Sequence, residues 1–334
     1  MQTKTTTALA VAVVVGLAVA AAALVLGPDH ITPSDERTGD EALAARLAEH
    51  AESGHRNIAA FTVAGDEVTF AGLGADEHTE FEIGSVTKTF TAQILINQIE
   101  AGRVTLDTTV GEIIDAGDAA VADVTLRELA DHTSGLPRLG GSNGIITSVV
   151  TSLTGANPYE GTSPEDVIDD ALTASLSGRG EFDYSNLGVA LLGQLLAVEA
   201  DTTYGHLLDE QILEPLGMTD TYLMETGTVP ADAPRGLLTT GRVAQPWEMD
   251  GYGPTGGLRS TPADMARWAR FLLDSGVPEI TWGEGPDGSH SHNGGTYGYS
   301  STLIVDPEQQ RAVFTVGDTM HDVDAVADHL WKEQ

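Results

Sequence analysis

Strand-forming runs stand only toward the two ends of this 334-residue chain, so any sheet it builds has to be assembled from segments far apart in sequence. Asn57–Val63 and Glu67–Gly72 are β-rich runs separated by the turn pair Gly65-Asp66, a hairpin signal. Thr296–Val305 and Arg311–Val316 are strand-like runs on either side of Asp306-Pro307-Glu308. Between these pairs, residues 106–250 carry mostly helical pattern broken by loops rich in Gly, Pro, Ser and Asn, and read as an inserted α-rich subdomain. Helices are also expected near Glu41–Ser53, from Ser85 to the glycine stop at Gly102, near Pro262–Ser275 and, closing the chain, at Val323–Lys332.

Cysteine is absent, which excludes disulfides, thiolate metal sites and a cysteine nucleophile together. Fifty acidic residues against 16 basic ones give a net charge of −34, a field that repels nucleic acid and anionic lipid headgroups. Residues 8–26 form an uncharged apolar run of about the length a bilayer-spanning helix needs. With Lys4 before it and Asp29, Asp35 and Glu36 after it, residues 1–27 are expected to be a signal anchor or a signal peptide that places the rest outside the cytoplasm. Residues 28–41 then read as a linker, and 42–334 as one domain, its sheet part at about 42–105 and 251–334 and its insert at about 106–250.

Lysine occurs only at positions 4, 88 and 332, so Lys88 stands alone in the interior of the chain. It follows Ser85 by three residues, where helical side chains share a face and can hydrogen-bond. A serine hydroxyl needs a neighbour to take its proton, and an amine does so when desolvation and nearby positive charge lower its pKa. S-x-x-K alone is a weak pattern, equally met by a capping serine and a solvated lysine. Tyr184-Ser185-Asn186 puts a phenol, a hydroxyl and an amide at a loop-to-helix junction before the apolar run Leu187–Val198. The phenol could act as a base near a cation and the amide could bind a carbonyl, or Ser185 and Asn186 simply cap the helix. His292-Asn293-Gly294-Gly295 is expected to begin a strand that runs through Tyr299, its glycines admitting a substrate backbone and a free N–H to an oxyanion hole. His290 and His292 on one strand face lack the acidic partner or H-E-x-x-H spacing of a metal site.

The set Ser85-Val86-Thr87-Lys88, Tyr184-Ser185-Asn186 and His292-Asn293-Gly294, in that order with a helical insert after the first, resembles the class C β-lactamase and DD-peptidase family of serine hydrolases. Phe81–Gly84, Leu129–Pro137, Glu214–Met218 and Gly256–Pro262 resemble it too, so the likeness covers about residues 42–332. The resemblance implies an α/β (α+β) fold of the β-lactamase/transpeptidase type, an antiparallel sheet flanked by helices with an α-rich insert. It makes Ser85 the acylated nucleophile, Lys88 its base, Tyr184 a proton carrier, Asn186 an amide binder and His292 the third-motif side chain. The backbone N–H groups of Ser85 and Gly295 would form the oxyanion hole, with Asn293 and Gly294 beside them. No cofactor is implied, and the partner is a small-molecule or peptide substrate. Lysine usually stands at the third motif in these β-lactamases; histidine there is more like DD-carboxypeptidases, D-amino-acid peptidases and esterases. The activity expected is therefore D-alanyl-D-alanine carboxypeptidase-like, with a β-lactamase, a carboxylesterase or a non-catalytic penicillin-sensing module as rivals. For His132-Thr133-Ser134-Gly135 the expectation is a buried structural turn.

Overall fold

The computed structural model describes residues 30–141 and 151–334. Where the sequence suggests a tether up to Asp40, the chain already contributes an edge strand, β1 (Arg37–Gly39), and Ile31 ahead of it is buried. Extended residues need only one ladder of partners at a sheet edge, and β1 finds it on β3 (Glu67–Leu73), Arg37 opposite Leu73. Asp40 then caps helix α1 (Glu41–His50), its carboxylate accepting from the N–H groups of Ala42 and Leu43. β2 (Ile58–Ala64) and β3 form the expected hairpin, with Gly65 at φ +57° in the turn.

The carboxyl-terminal strands complete the sheet. β10 (Arg311–Gly317) lies against β2, Phe314 opposite Phe61, and the order is β1-β3-β2-β10-β9-β8-β7, with all neighbours antiparallel. Here β9 is Ser300–Asp306, β8 is His290–Gly295 and β7 is Gly283–Glu284. The strand expected over Thr296–Val305, with His292–Gly295 leading into it, is thus two strands that double back. Thr296 N–H donates to Tyr299 O at 2.9 Å and closes the reversal, so residues 296–299, whose Thr and Tyr composition suits a strand, form a turn.

Both faces of the sheet are covered, which is why β2 and β9 are buried almost throughout. On one face, Leu43 and Leu47 of α1 and Ala327, Leu330 and Trp331 of the closing helix α5 (Asp324–Lys332) pack on Ile58, Leu73 and Val313. On the other lie α4 (Pro262–Ser275) and, behind it, α2 (Thr87–Glu100), where Phe90 stacks on Trp268 with ring centroids 4.2 Å apart. Helix α3 (Asn186–Glu199) is buried over twelve of its 14 residues and forms the centre of the insert. Among the described residues the insert is helical as expected up to Leu216, but residues 224–252 form neither helix nor strand and wrap back toward Ser85, with Trp247 and Met249 lining the same pocket as the serine. A second small sheet, β4 (Phe81–Glu82), β6 (Leu258–Ser260) and β5 (Tyr222–Leu223), ties the insert to the segment just before Ser85.

The apolar run 8–26 lies outside the described residues. Among the described residues no helix is long and apolar enough to cross a membrane.

Candidate active site

Ser85 sits in a single 3-10 turn, Gly84–Val86, that opens directly into α2. Gly84 has φ +49°, and a Cβ on it would lie 2.6 Å from Gly295 N; a Cβ on Gly294 would lie 2.1 Å from Ile83 O. Two glycines therefore let β8 ride against the turn, where Ser301 Oγ also donates to Ile83 O at 2.8 Å. This close approach sets Ser85 and Gly295 on the wall of one pocket.

Lys88, one turn into α2, is 1% exposed. Its Nζ donates to Ser85 Oγ at 3.0 Å and to Thr255 O at 2.6 Å, which disposes of the solvated-lysine alternative. Tyr184 Oη lies 2.7 Å from the same Ser85 oxygen. Burial holds Lys88 below the ordinary amine pKa, against the pull of Tyr184, and the Arg138 charge adds to the depression. For Tyr184, burial raises the phenol, but Lys88, Ser85 and Arg138 more than offset it and the net shift is downward. The serine hydroxyl thus sits between two groups, each shifted toward holding its proton less tightly.

The turn expected to be purely structural carries Tyr184. His132, in the left-handed region at φ +58°, accepts from Ser185 N–H through Nδ1 (3.2 Å) and packs its ring 4.4 Å from that of Tyr184. Ser185 Oγ donates to Pro137 O and accepts from Gly188 N–H, so the capping role and the Y-S-N motif coexist. Asn186, 8% exposed, donates through Nδ2 to Tyr159 Oη at 3.1 Å.

His292 does not bond to Ser85, Lys88 or Tyr184; its Nδ1 meets Asn293 O at 2.8 Å. Burial, then the Lys88 charge, pushes its pKa down to about 3, so it is neutral near pH 7. Asn293 turns away from the serine, donating to Asp324 Oδ2 at 2.8 Å, and does not line the pocket at Ser85. Two cavities lie here, on either side of Tyr184. A pocket of about 220 Å³ at Ser85 is walled by Arg138, Tyr159, Asn186, Trp247, Gly295 and Tyr297. Beyond Tyr184 and His292 runs a groove of about 790 Å³ with Phe182, Trp282 and Trp331 and the carboxylates of Asp287, Asp324 and Asp328. Arg138, Tyr159 and Trp247 escape a reading of the sequence alone, since only the adjacency of Arg138 to Leu129–Pro137 hints at any of them. Among the described residues no three His, Asp or Glu side chains form a group that could hold a metal ion.

The family profile described as Beta-lactamase matches residues 41–333. The chain belongs to the β-lactamase family. Among its curated relatives, the D-alanyl-D-alanine-carboxypeptidase/endopeptidase AmpH of Escherichia coli (strain K12) is 32% identical over 201 residues, 58% of this chain and 49% of the relative. Penicillin-binding protein 4 of Amycolatopsis lactamdurans is 29% identical over 226 residues, 62% and 54% of the two chains. The matches thus span about half the length of these relatives. Among solved structures, the β-lactamase/D-alanine carboxypeptidase from Pseudomonas syringae superposes with a TM-score of 0.73 at 15% identity, over 87% of this chain and 98% of the other. The D-stereospecific amidohydrolase from Streptomyces sp. gives 0.71 at 20%, over 88% and 99%. The fold is therefore the β-lactamase/transpeptidase-like one expected.

Proposed function

We propose that this protein is a serine hydrolase that cleaves amide or ester bonds outside the cytoplasm through a Ser85 acyl-enzyme. The observation that carries the reading is the buried amine of Lys88, 3.0 Å from Ser85 Oγ, with Tyr184 Oη 2.7 Å from the same atom. Ser85 Oγ attacks the substrate carbonyl while its proton passes to Lys88, and the tetrahedral oxyanion lies between the N–H groups of Ser85 and Gly295. The C–N or C–O bond breaks as Tyr184 returns a proton to the leaving group. Water then attacks the ester, giving its proton to the same pair and releasing the acid and Ser85. The extracytoplasmic placement rests on residues 8–26 and their flanking charges.

D-alanyl peptides of the kind in the relatives' names are the proposed substrate class. The groove past Tyr184 suits a neutral leaving group, because His292 is uncharged and, among the described lining residues, Lys332 is the one cation beside the carboxylates. An internal D-alanyl amide or an ester fits that surface better than a leaving group ending in a carboxylate, and β-lactam turnover is expected to be slow for the same reason. The test is hydrolysis by purified residues 28–334 of a D-alanyl amide, a D-Ala-D-Ala peptide and a 4-nitrophenyl ester, beside Ser85→Ala. Ser85-dependent cleavage that ranks the D-alanyl amide above the D-Ala-D-Ala peptide supports the reading. Cleavage of none of them, or equal cleavage by Ser85→Ala, refutes it.

A further inference from the structure

Of the 13 arginines, Arg56, Arg127, Arg179, Arg259, Arg267 and Arg270 pair with a carboxylate. Arg138 is among the seven that have no such pair among the described residues, and the one of these seven that lines the pocket at Ser85. It is exposed and lies over the Tyr184 ring, 5.0 Å from its centroid. Its backbone is fixed, because its carbonyl accepts from the N–H groups of both Asn186 and Leu187 at the start of α3. Two residues of the pocket it lines carry buried polar atoms with no hydrogen-bond partner among the described residues. One end of the buried Asn186 amide, Oδ1, is unpaired, and so is the buried indole N–H of Trp247. Buried polar groups are rarely left so, since each loses its hydration without a replacement, and a ligand that supplies the partners removes that cost.

Ser85 thus shares its pocket with the residues that carry an unpaired acceptor, an unpaired donor and a cation, while the groove on the other side of Tyr184 is lined by carboxylates. We propose that Arg138 is a specificity residue that reads a carboxylate on the acyl half of the substrate, with Trp247 Nε1–H as a second donor and Asn186 Oδ1 taking an N–H of the same half. The proposal rests on the reading of Ser85 as the acylated nucleophile and adds which half of the substrate bears the negative charge. In a protein of net charge −34, a long-range field repels anions, so attraction has to come from a local cation placed at the site.

The test compares mono-4-nitrophenyl adipate, whose acyl chain ends in a carboxylate, with the neutral 4-nitrophenyl hexanoate, each rate corrected by that of Ser85→Ala. The ratio of the two kcat/KM values cancels any change in the chemical step common to both. We expect a ratio of about ten in the wild type, the worth of one charge-assisted hydrogen bond at a half-open site, falling to about one in Arg138→Gln, largely restored in Arg138→Lys and inverted in Arg138→Glu. A wild-type ratio of one or less, or a ratio unchanged in Arg138→Gln, overturns the proposal while leaving Ser85 as nucleophile. If neither ester is turned over but a fluorophosphonate still labels Ser85, the proposal also falls. If Ser85 is not labelled either, the underlying hydrolase reading falls with it.

Discussion

A lysine 1% exposed, in a chain that otherwise has none between its ends, is an expensive residue to keep. Below its lowered pKa, folded and unfolded chains both hold the proton and the folded one carries the full desolvation penalty. Between that pKa and the ordinary value of 10.5, the unfolded chain alone is protonated, so stability climbs with pH across that window. Lys88→Met should accordingly unfold at a higher urea concentration than the wild type at pH 6, with the gap narrowing toward pH 10; a gap that stays constant would show that Lys88 carries no such strain. The same variant should lose about 10²–10⁴ in kcat/KM, the usual worth of a general base. Ser85 and Lys88 were legible in the sequence because a lone interior lysine on an apolar helix has few other uses. Arg138, His132 and Trp247 were not, because each matters only through what a distant segment brings against it. His132 is recognisable as the support of Tyr184 only once residues 132–138 are seen beneath residues 183–187.

The element that decides whether the amides of Ser85 and Gly295 can work together is the contact between the 3-10 turn at Gly84–Val86 and strand β8. Gly294→Ala places a methyl 2.1 Å from Ile83 O, so backbone must move and β8 must back away from the serine. We expect kcat to fall about 10²–10³-fold, as when one oxyanion donor is lost, with KM changing far less. Activity within a factor of two of the wild type would show that the two amides do not act together. The hairpin β2–β3 and helices α2, α4 and α5 were readable from periodicity and turn residues. The reversal after Gly295 was not, since Thr296, Tyr297 and Tyr299 have strand-like composition and the one sign of a turn is Gly298. Edge strand β1 was hidden for a related reason: three residues are too short for alternation to show.

At the scale of the whole molecule, a sheet made from both chain ends with an insert between them was foreshadowed by where the strand-like runs fall, and the order of the three motifs carried the family. The irregular course of residues 224–252, which delivers Trp247 to the pocket, has no periodic signature. The charge of −34 sets a further expectation: self-repulsion destabilises the compact state, so the urea midpoint should rise between 0.05 and about 1 M NaCl as screening shortens to about 3 Å. An unchanged midpoint would mean that the acidic surface has no effect on folding. The claim on which everything else depends is that Ser85 is the nucleophile and that Lys88 and Tyr184 activate it. Its most direct test is intact mass and peptide mapping of residues 28–334 after exposure to a fluorophosphonate. One adduct is expected, on Ser85, absent from Ser85→Ala and formed at least about tenfold more slowly in Lys88→Met. A single adduct on another residue, undiminished labelling of Ser85→Ala, or no adduct at all would contradict it.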